Sequence, residues 1–377
     1  MEDRYVVVKG LVRIKNGEIS NRWFVLDKGR PFFILNEWIE IKTLRSENTG
    51  KKYALSICRY LNYLNFINKE YYYATKKDIL NFLRHLLFKV TDDLKLASIE
   101  ASLTYSTVRS YIAVIKSFYK HITDNIDVPL IGTQMKSDKH LSKSFFYGIM
   151  THDYEEFITE NMINFKKSKE YIKWYTPNQI ESLLLSFLTL RDKAIFLVTI
   201  DGGMRIDEAL SIKLADYNRN ECLVRPCRSK GKTAGKGRPI ILKEMTCQVI
   251  DRYILTERNT VESQSGKYTD SLFINLRKGR SQGDEVKPRA WLRLLKNRAK
   301  QANIDSEKIR THSGRSSKTM ELLYFQTEHP EEHLTDEIIR QWMGWKSSTS
   351  LDSYRNINDI RIAKKRAEKI NKNNCTE

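Results

Sequence analysis

Residues 341–355 read Q-W-M-G-W-K-S-S-T-S-L-D-S-Y-R, which places Tyr354 nine residues beyond Trp345. Thirty residues before Trp345, the stretch R-T-H-S-G-R ends at Arg315. Far upstream, G-G-M-R-I-D-E-A-L runs from Gly202 to Leu210. Each stretch alone is ordinary. Together they set arginines, a histidine and a tyrosine in a fixed order beside glycine-containing turns.

Working outward, the composition narrows the chemistry. Lys and Arg number 65 against 46 Asp and Glu, a formal charge of +19 spread along the chain. A field of that size attracts polyanions, and nucleic acid is the usual one. Of the 377 residues, 41% are hydrophobic, enough for a sizeable core and two domains. The five cysteines (58, 222, 227, 247, 375) form no C-x-x-C pair, so no metal site is expected and a reducing compartment fits. The start, M-E-D-R-Y-V-V-V-K-G, is neither a signal peptide nor a membrane span. A cytoplasmic, nucleoid-associated protein with no membrane partner is the expectation.

The hydrophobic pattern predicts five segments. Residues 1–30 alternate around Asn16-Gly17 and predict short strands, an N-terminal β-rich extension that either packs or touches DNA. Residues 31–130 predict a compact helical domain. One helix is capped by Ser46 or Thr49 (Tyr53, Ile57, Leu61, Leu64), one follows Thr75 (Ile79, Phe82, Leu83, Leu86), and one follows Ser106 (Val108, Tyr111, Ile112, Ile115, Tyr119). Arg109, Lys116 and Lys120 lie opposite the last apolar face and are candidate phosphate contacts. Residues 131–173 read as a linker with partial helix, rich in lysine.

The second domain, 174–356, opens on Thr176-Pro177-Asn178-Gln179, a capping box with proline at the first helical position. Helical patterns run Ile180–Leu190 and Arg191–Ile200, and another begins near Arg205 after Gly202-Gly203. Cys222–Val224 and Pro239–Leu242 predict a hairpin whose loop is dense in lysine and glycine. Further helices are predicted over Ala290–Ala302, His312–Phe325 and Thr335–Met343, with a basic C-terminal helix or tail over 357–377, centred on Ile360–Ile370. The fold class is therefore mainly α with a small β-hairpin or sheet.

Four groups can carry chemistry. Glu208 stands three residues after Arg205, on the same helical face, where it can orient the guanidinium for a bidentate phosphate contact. Alone, such a pair is more often a surface salt bridge. His312 and Arg315 share that spacing at a helix start, where the helix dipole also favours an anion. Lys230, Lys232 and Lys236 lie in the hairpin loop, where a lysine of lowered pKa can act as a general acid. A phenol, with its ordinary pKa near ~10, needs cations about it to serve as a nucleophile. Two arginines and a protonatable group at a phosphate would supply them and would neutralise a pentacovalent transition state without a metal.

With these residues in hand, the chain resembles the tyrosine recombinase (phage integrase) family over about 176–356, with weaker motifs before that. G-G-M-R-I-D-E-A-L resembles the family's first-arginine box, placing Arg205 and its supporting Glu208. T-H-S-G-R places His312 and Arg315, and G-W-K-S-S-T-S-L-D-S-Y places Trp345 and the nucleophile Tyr354. Most members carry histidine where Trp345 stands, and an indole N–H can donate a hydrogen bond but cannot shuttle a proton. Lys232 matches the hairpin lysine when read back from the second strand and is the expected catalytic lysine, with Lys230, matched when read forward from the first strand, as the alternative.

The resemblance implies a two-lobed DNA clamp, a helical core-binding (SAM-like) domain joined to a catalytic domain. It implies site-specific cutting and rejoining of double-stranded DNA through a 3′-phosphotyrosyl intermediate, without ATP, metal or other cofactor. It also implies a homotetramer on DNA, with accessory proteins left open. The N-terminal extension and the long linker exceed what a minimal resolvase needs, so a mobile element is the expected setting. A type IB topoisomerase, using the same chemistry on one duplex, remains the nearest alternative. A non-catalytic DNA-binding protein on the same scaffold is the other.

Overall fold

The computed structural model describes residues 3–13, 19–88, 103, 105–125, 173–227 and 237–373. Lys230, Lys232 and Lys236, and all but the last residue of the 131–173 linker, lie outside the described residues. The chain divides into two units, Met1–Lys169 and Glu170–Glu377. Each is mainly helical with a small antiparallel sheet among its described residues.

In the first unit, β1 (Tyr5–Arg13) pairs with β2 (Ile19–Asp27) from Tyr5↔Asp27 to Arg13↔Ile19, and β3 (Arg30–Pro31) adds to β2. Lys28 and Gly29 turn β2 into β3 with φ of 48° and 80°, the paired positive dihedrals that a tight two-residue hairpin needs. Among the described residues four helices follow: α1 (Phe33–Arg45), α2 (Glu47–Phe66), α3 (Lys76–Phe88) and α4 (Tyr105–Asn125). Tyr5 and Val25 of the sheet are buried in the same core as Trp38, Tyr60, Phe82 and Phe118. The Tyr5 backbone is held on both sides by Asn62, whose Oδ1 accepts from the Tyr5 N–H at 2.9 Å and whose Nδ2 donates to the Tyr5 carbonyl at 2.8 Å. The N-terminal strands thus share one hydrophobic interior with the helices. Ser46 precedes α2 but makes no side-chain cap. On α4, Arg109 and Lys120 are exposed and Lys116 is half-buried, opposite the buried Val108, Ile115 and Tyr119.

The second unit opens with α5 (Pro177–Ser186), where Thr176 and Gln179 form the reciprocal capping box that the sequence predicts. Next comes α6 (Leu190–Asp201), buried along nearly its whole length. Its N-terminus is satisfied by the Glu257 carboxylate, which accepts from the Leu190 and Arg191 N–H groups at 2.8 and 2.9 Å. A short turn, α7 (Ile206–Ala209), leads into the sheet β4 (Tyr217–Asn218), β5 (Leu223–Val224) and β6 (Ile240–Ile241). Then come α8 (Glu244–Tyr253), a wide π turn over Ile254–Arg258, and α9 (Asn259–Ser265). The chain finishes with α10 (Pro288–Gln301), α11 (Ser313–Glu328), α12 (Asp336–Met343) and α13 (Thr349–Asn373). The large core, with Phe196, Phe273 and Trp291, packs around α6. A smaller cluster of Leu322, Leu323, Ile339, Met343 and Leu351 binds α11, α12 and α13 together, with Trp345 and Tyr354 against it.

Thr49, the other expected cap, lies inside α2, and the helix predicted over Ile180–Leu190 ends at Ser186, with Leu190 starting α6. Two larger features also differ from the sequence reading. The strands Cys222–Val224 and Pro239–Leu242 do pair as β5 and β6, but a third strand, β4, completes the sheet and α8 and α9 follow it. The basic helix centred on Ile360–Ile370 is no separate tail. It is the far end of the 25-residue α13, which carries Tyr354 near its start. Leu351 and Asn358 are buried along it, and this packing overrides the turn preference of the preceding Ser/Thr run.

Candidate active site

The site is assembled where α6 ends. After Asp201 the chain turns at Gly203, with φ of +58°. A Cβ there would meet the Met343 side chain at 2.9 Å and Lys318 Cγ at 3.2 Å. A residue without a side chain therefore lets this turn press against α11 and α12. Arg205 follows at the cap of α7, and its backbone N–H and its Nη1 donate to the two oxygens of Glu208 at 3.0 and 2.6 Å. Glu208 is only 3% exposed. A carboxylate so placed needs such partners to offset its lost hydration. The pair is thus a part-buried contact anchored on a buried carboxylate, not a fully solvated surface salt bridge.

Arg315, on α11, comes to the same carboxylate, with its Nη1 4.0 Å from Glu208 Oε2. It is 4% exposed. Nη1 donates to the Gly203 carbonyl at 2.7 Å, and Nη2 donates to the Met343 carbonyl at the end of α12. Burial first, and then the Arg205 guanidinium, hold the Arg315 pKa below its ordinary value. Two guanidiniums crowded around one buried carboxylate leave positive charge uncompensated, a standing attraction for an anion.

The Arg315 guanidinium also lies over the Trp345 ring, 5.4 Å from its centroid. That indole in turn contacts the Tyr354 ring, with centroids 5.7 Å apart and planes at 30°. Tyr354 is half-buried, and its hydroxyl lies 3.1 Å from the Ser316 hydroxyl. Trp345 is set by Gly344, which ends α12 in the left-handed conformation at φ +63°. Arg205, Glu208, Arg315, Trp345 and Tyr354 are thereby joined through successive contacts. His312 stands at the cap position of α11, exposed, with no side-chain capping bond.

Two residues of this neighbourhood escape the sequence reading. Ser316 is one of many serines, and only the packing of α13 on α11 turns it toward Tyr354. Arg238 precedes β6, and its Nη1 donates to the Trp342 carbonyl. Its sole signal in the sequence is its place at the foot of the lysine-rich hairpin.

The comparisons with known proteins follow the same outline. Curated relatives include the tyrosine recombinase XerA of Pyrococcus horikoshii, 23% identical over 198 residues, covering 52% of this chain and 61% of that protein. Transposase A from transposon Tn554 of Staphylococcus aureus is 22% identical over 216 residues, covering 54% and 58%. The chain thus spans about three fifths of the length of these relatives. Among solved structures, the XerH site-specific recombinase bound to palindromic difH substrate superposes with a TM-score of 0.61 at 16% identity, covering 88% of this chain and 83% of that one. The Tn1549 transposon integrase in complex with transposon right end DNA gives 0.56 at 15% identity, covering 87% and 98%. At such identities these two establish likeness of fold. The sequence profile of the Phage integrase family matches residues 173–361, half of the chain and every described residue of the site. The chain belongs to the phage integrase (tyrosine recombinase) family.

Proposed function

We propose that this chain is a site-specific DNA recombinase that cuts and rejoins duplex DNA through Tyr354. One observation carries the reading. Arg205 and Arg315 meet at Glu208, and Arg315 reaches the Tyr354 ring through Trp345. A phosphodiester drawn to the two guanidiniums has the phenol beside it.

In the proposed reaction the Tyr354 oxygen attacks phosphorus as the bond from phosphorus to the 5′-oxygen breaks. A 3′-phosphotyrosyl bond forms and a 5′-hydroxyl leaves. Arg205 and Arg315 neutralise the pentacovalent transition state, and the Trp345 indole donates to a phosphate oxygen. The phenolic proton passes to His312, and the departing 5′-oxygen is protonated by Lys232 or, in the other register, Lys230. A 5′-hydroxyl from a second duplex reverses the step, so that no bond energy is lost and ATP has no part. Exchange between two duplexes involves four cleavages, and the proposal includes a homotetramer on DNA. The first unit would grip the phosphate backbone through Arg109, Lys116 and Lys120. Relatives and neighbours named for transposons support a mobile element as the setting.

The test is a nicked duplex that releases a short strand on cleavage and cannot be resealed. Wild-type protein is expected to accumulate a covalent protein–DNA adduct on a denaturing gel. Tyr354→Phe is expected to bind the duplex with unchanged affinity and form none. Tight binding by wild type with no adduct would leave a non-catalytic DNA-binding protein in its place.

A further inference from the structure

Arg238 does more than end a loop. Its Nη1 donates to the Trp342 carbonyl, and its Nε and Cδ lie 2.8 and 3.0 Å from where a Cβ on Gly344 would sit. Arg315 takes the next carbonyl, Met343. These are terminal carbonyls of α12, which lack helical partners and form the negative end of its dipole. Two arginines from distant segments therefore cap one helix end together, immediately before Trp345.

The second observation is electrostatic. Nη2 of Arg238 is shut off from solvent and has no hydrogen-bond partner among the described residues. Burial lowers the Arg238 pKa most, Glu208 opposes this, and Arg205 adds to it. Arg238 is in turn among the charges that depress Arg315. Three guanidiniums thus act on one another around a single carboxylate, in a partly buried setting that screens charges less than bulk water does. A C-terminal cap needs only one cation near the carbonyls. The surplus is what a phosphodiester, and still more its doubly charged transition state, would balance.

We infer that Arg238 is a positioning residue of the strand-transfer site, holding the turn before Trp345 against β6 and adding a third positive charge to the field of Arg205 and Arg315. The inference rests on the reading of Tyr354 as nucleophile. It assigns Arg238 no direct contact with the scissile phosphate.

The experiment uses full-length protein and the nicked duplex, made once with an ordinary scissile phosphodiester and once with a neutral methylphosphonate there. Single-turnover adduct formation is followed at saturating DNA for wild type, Tyr354→Phe, Arg238→Lys and Arg238→Gln. On the phosphodiester, Arg238→Gln is expected to be slower than wild type by roughly 10- to 100-fold, and Arg238→Lys by about threefold. On the methylphosphonate, where less negative charge develops, the deficit of Arg238→Gln should shrink to about threefold. Equal deficits for the two variants, or an Arg238→Gln deficit that persists on the neutral substrate, would show a helix cap and nothing more. Arg238→Gln cleaving like wild type would also overturn the inference. Should Arg238→Gln melt below the assay temperature, Arg238→Met, with a similar stem and no charge, takes its place on both substrates under the same criteria. An absence of adduct from wild type itself would refute the parent reading, and this one with it.

Discussion

The Tyr354 hydroxyl lies 3.1 Å from the hydroxyl of Ser316, the residue that directly follows Arg315. The proposed nucleophile is therefore tied to the helix that carries Arg315, and its ring contacts the Trp345 indole over which that guanidinium lies. Ser316→Ala removes one neutral hydrogen bond and no charge. Cleavage of the nicked duplex is expected to slow by about three- to tenfold, the worth of one such bond, with DNA affinity unchanged. A loss as large as that of Tyr354→Phe would mean that Ser316 has a chemical role of its own.

Glu208 is the counter-charge of the site. It accepts from the Arg205 backbone and guanidinium and faces Arg315, almost wholly out of solvent. Glu208→Ala leaves the buried Arg315 and the half-buried Arg205 guanidiniums without their shared carboxylate. A destabilisation of about 3–5 kcal/mol is expected, read as a lower urea midpoint. Inorganic phosphate should restore part of it, and restore more than it adds to wild type, because an anion can occupy the vacated position.

Gly344 and Gly266 allow strain to be separated from crowding. Both have φ of +63°, and both end a helix. A Cβ on Gly266 would meet nothing within 4 Å, whereas one on Gly344 would lie 2.8 Å from Arg238 Nε. Gly266→Ala is expected to cost about 1 kcal/mol in thermal or urea unfolding, the price of a left-handed alanine. Gly344→Ala should cost more, and should also slow adduct formation by at least roughly tenfold because Trp345 moves with the turn. Equal stability losses and unchanged cleavage would contradict the packing described for Arg238.

On the first unit, Arg109 and Lys120 are exposed along α4. If each neutralises a phosphate, Arg109→Ala and Lys120→Ala should each reduce the salt dependence of DNA binding by about 0.9 in the slope of log affinity against log salt. Affinity should fall alike for cognate and random duplexes, and the melting temperature should stay within about 1–2 °C of wild type. Unchanged slopes would place the DNA on another face of this unit.

Features that depend on neighbours in the chain were legible without any coordinates. The Thr176–Gln179 box and the Arg205–Glu208 pair each span three residues, so backbone geometry brings the partners together once a helix begins. The order of Arg205, His312, Arg315, Trp345 and Tyr354 was enough to mark the family, because each box is local and the spacing between boxes is carried by the chain itself. Apolar periodicity likewise placed most helices, though it did not reveal that Tyr354 rides on one continuous α13.

Tertiary packing alone decided the rest. Arg238 and Trp342 are 104 residues apart, and Arg315 and Gly203 are 112 apart. Nothing local distinguishes Ser316 from the chain's many other serines, and Arg238 is marked only by its place at the foot of the lysine-rich hairpin. Their contacts with Trp342 and Tyr354 form because α11, α12 and α13 close on a shared apolar cluster. Burial then makes an ordinary guanidinium a more weakly screened charge, since the strength of an electrostatic contact depends on the medium around it and not on residue type alone.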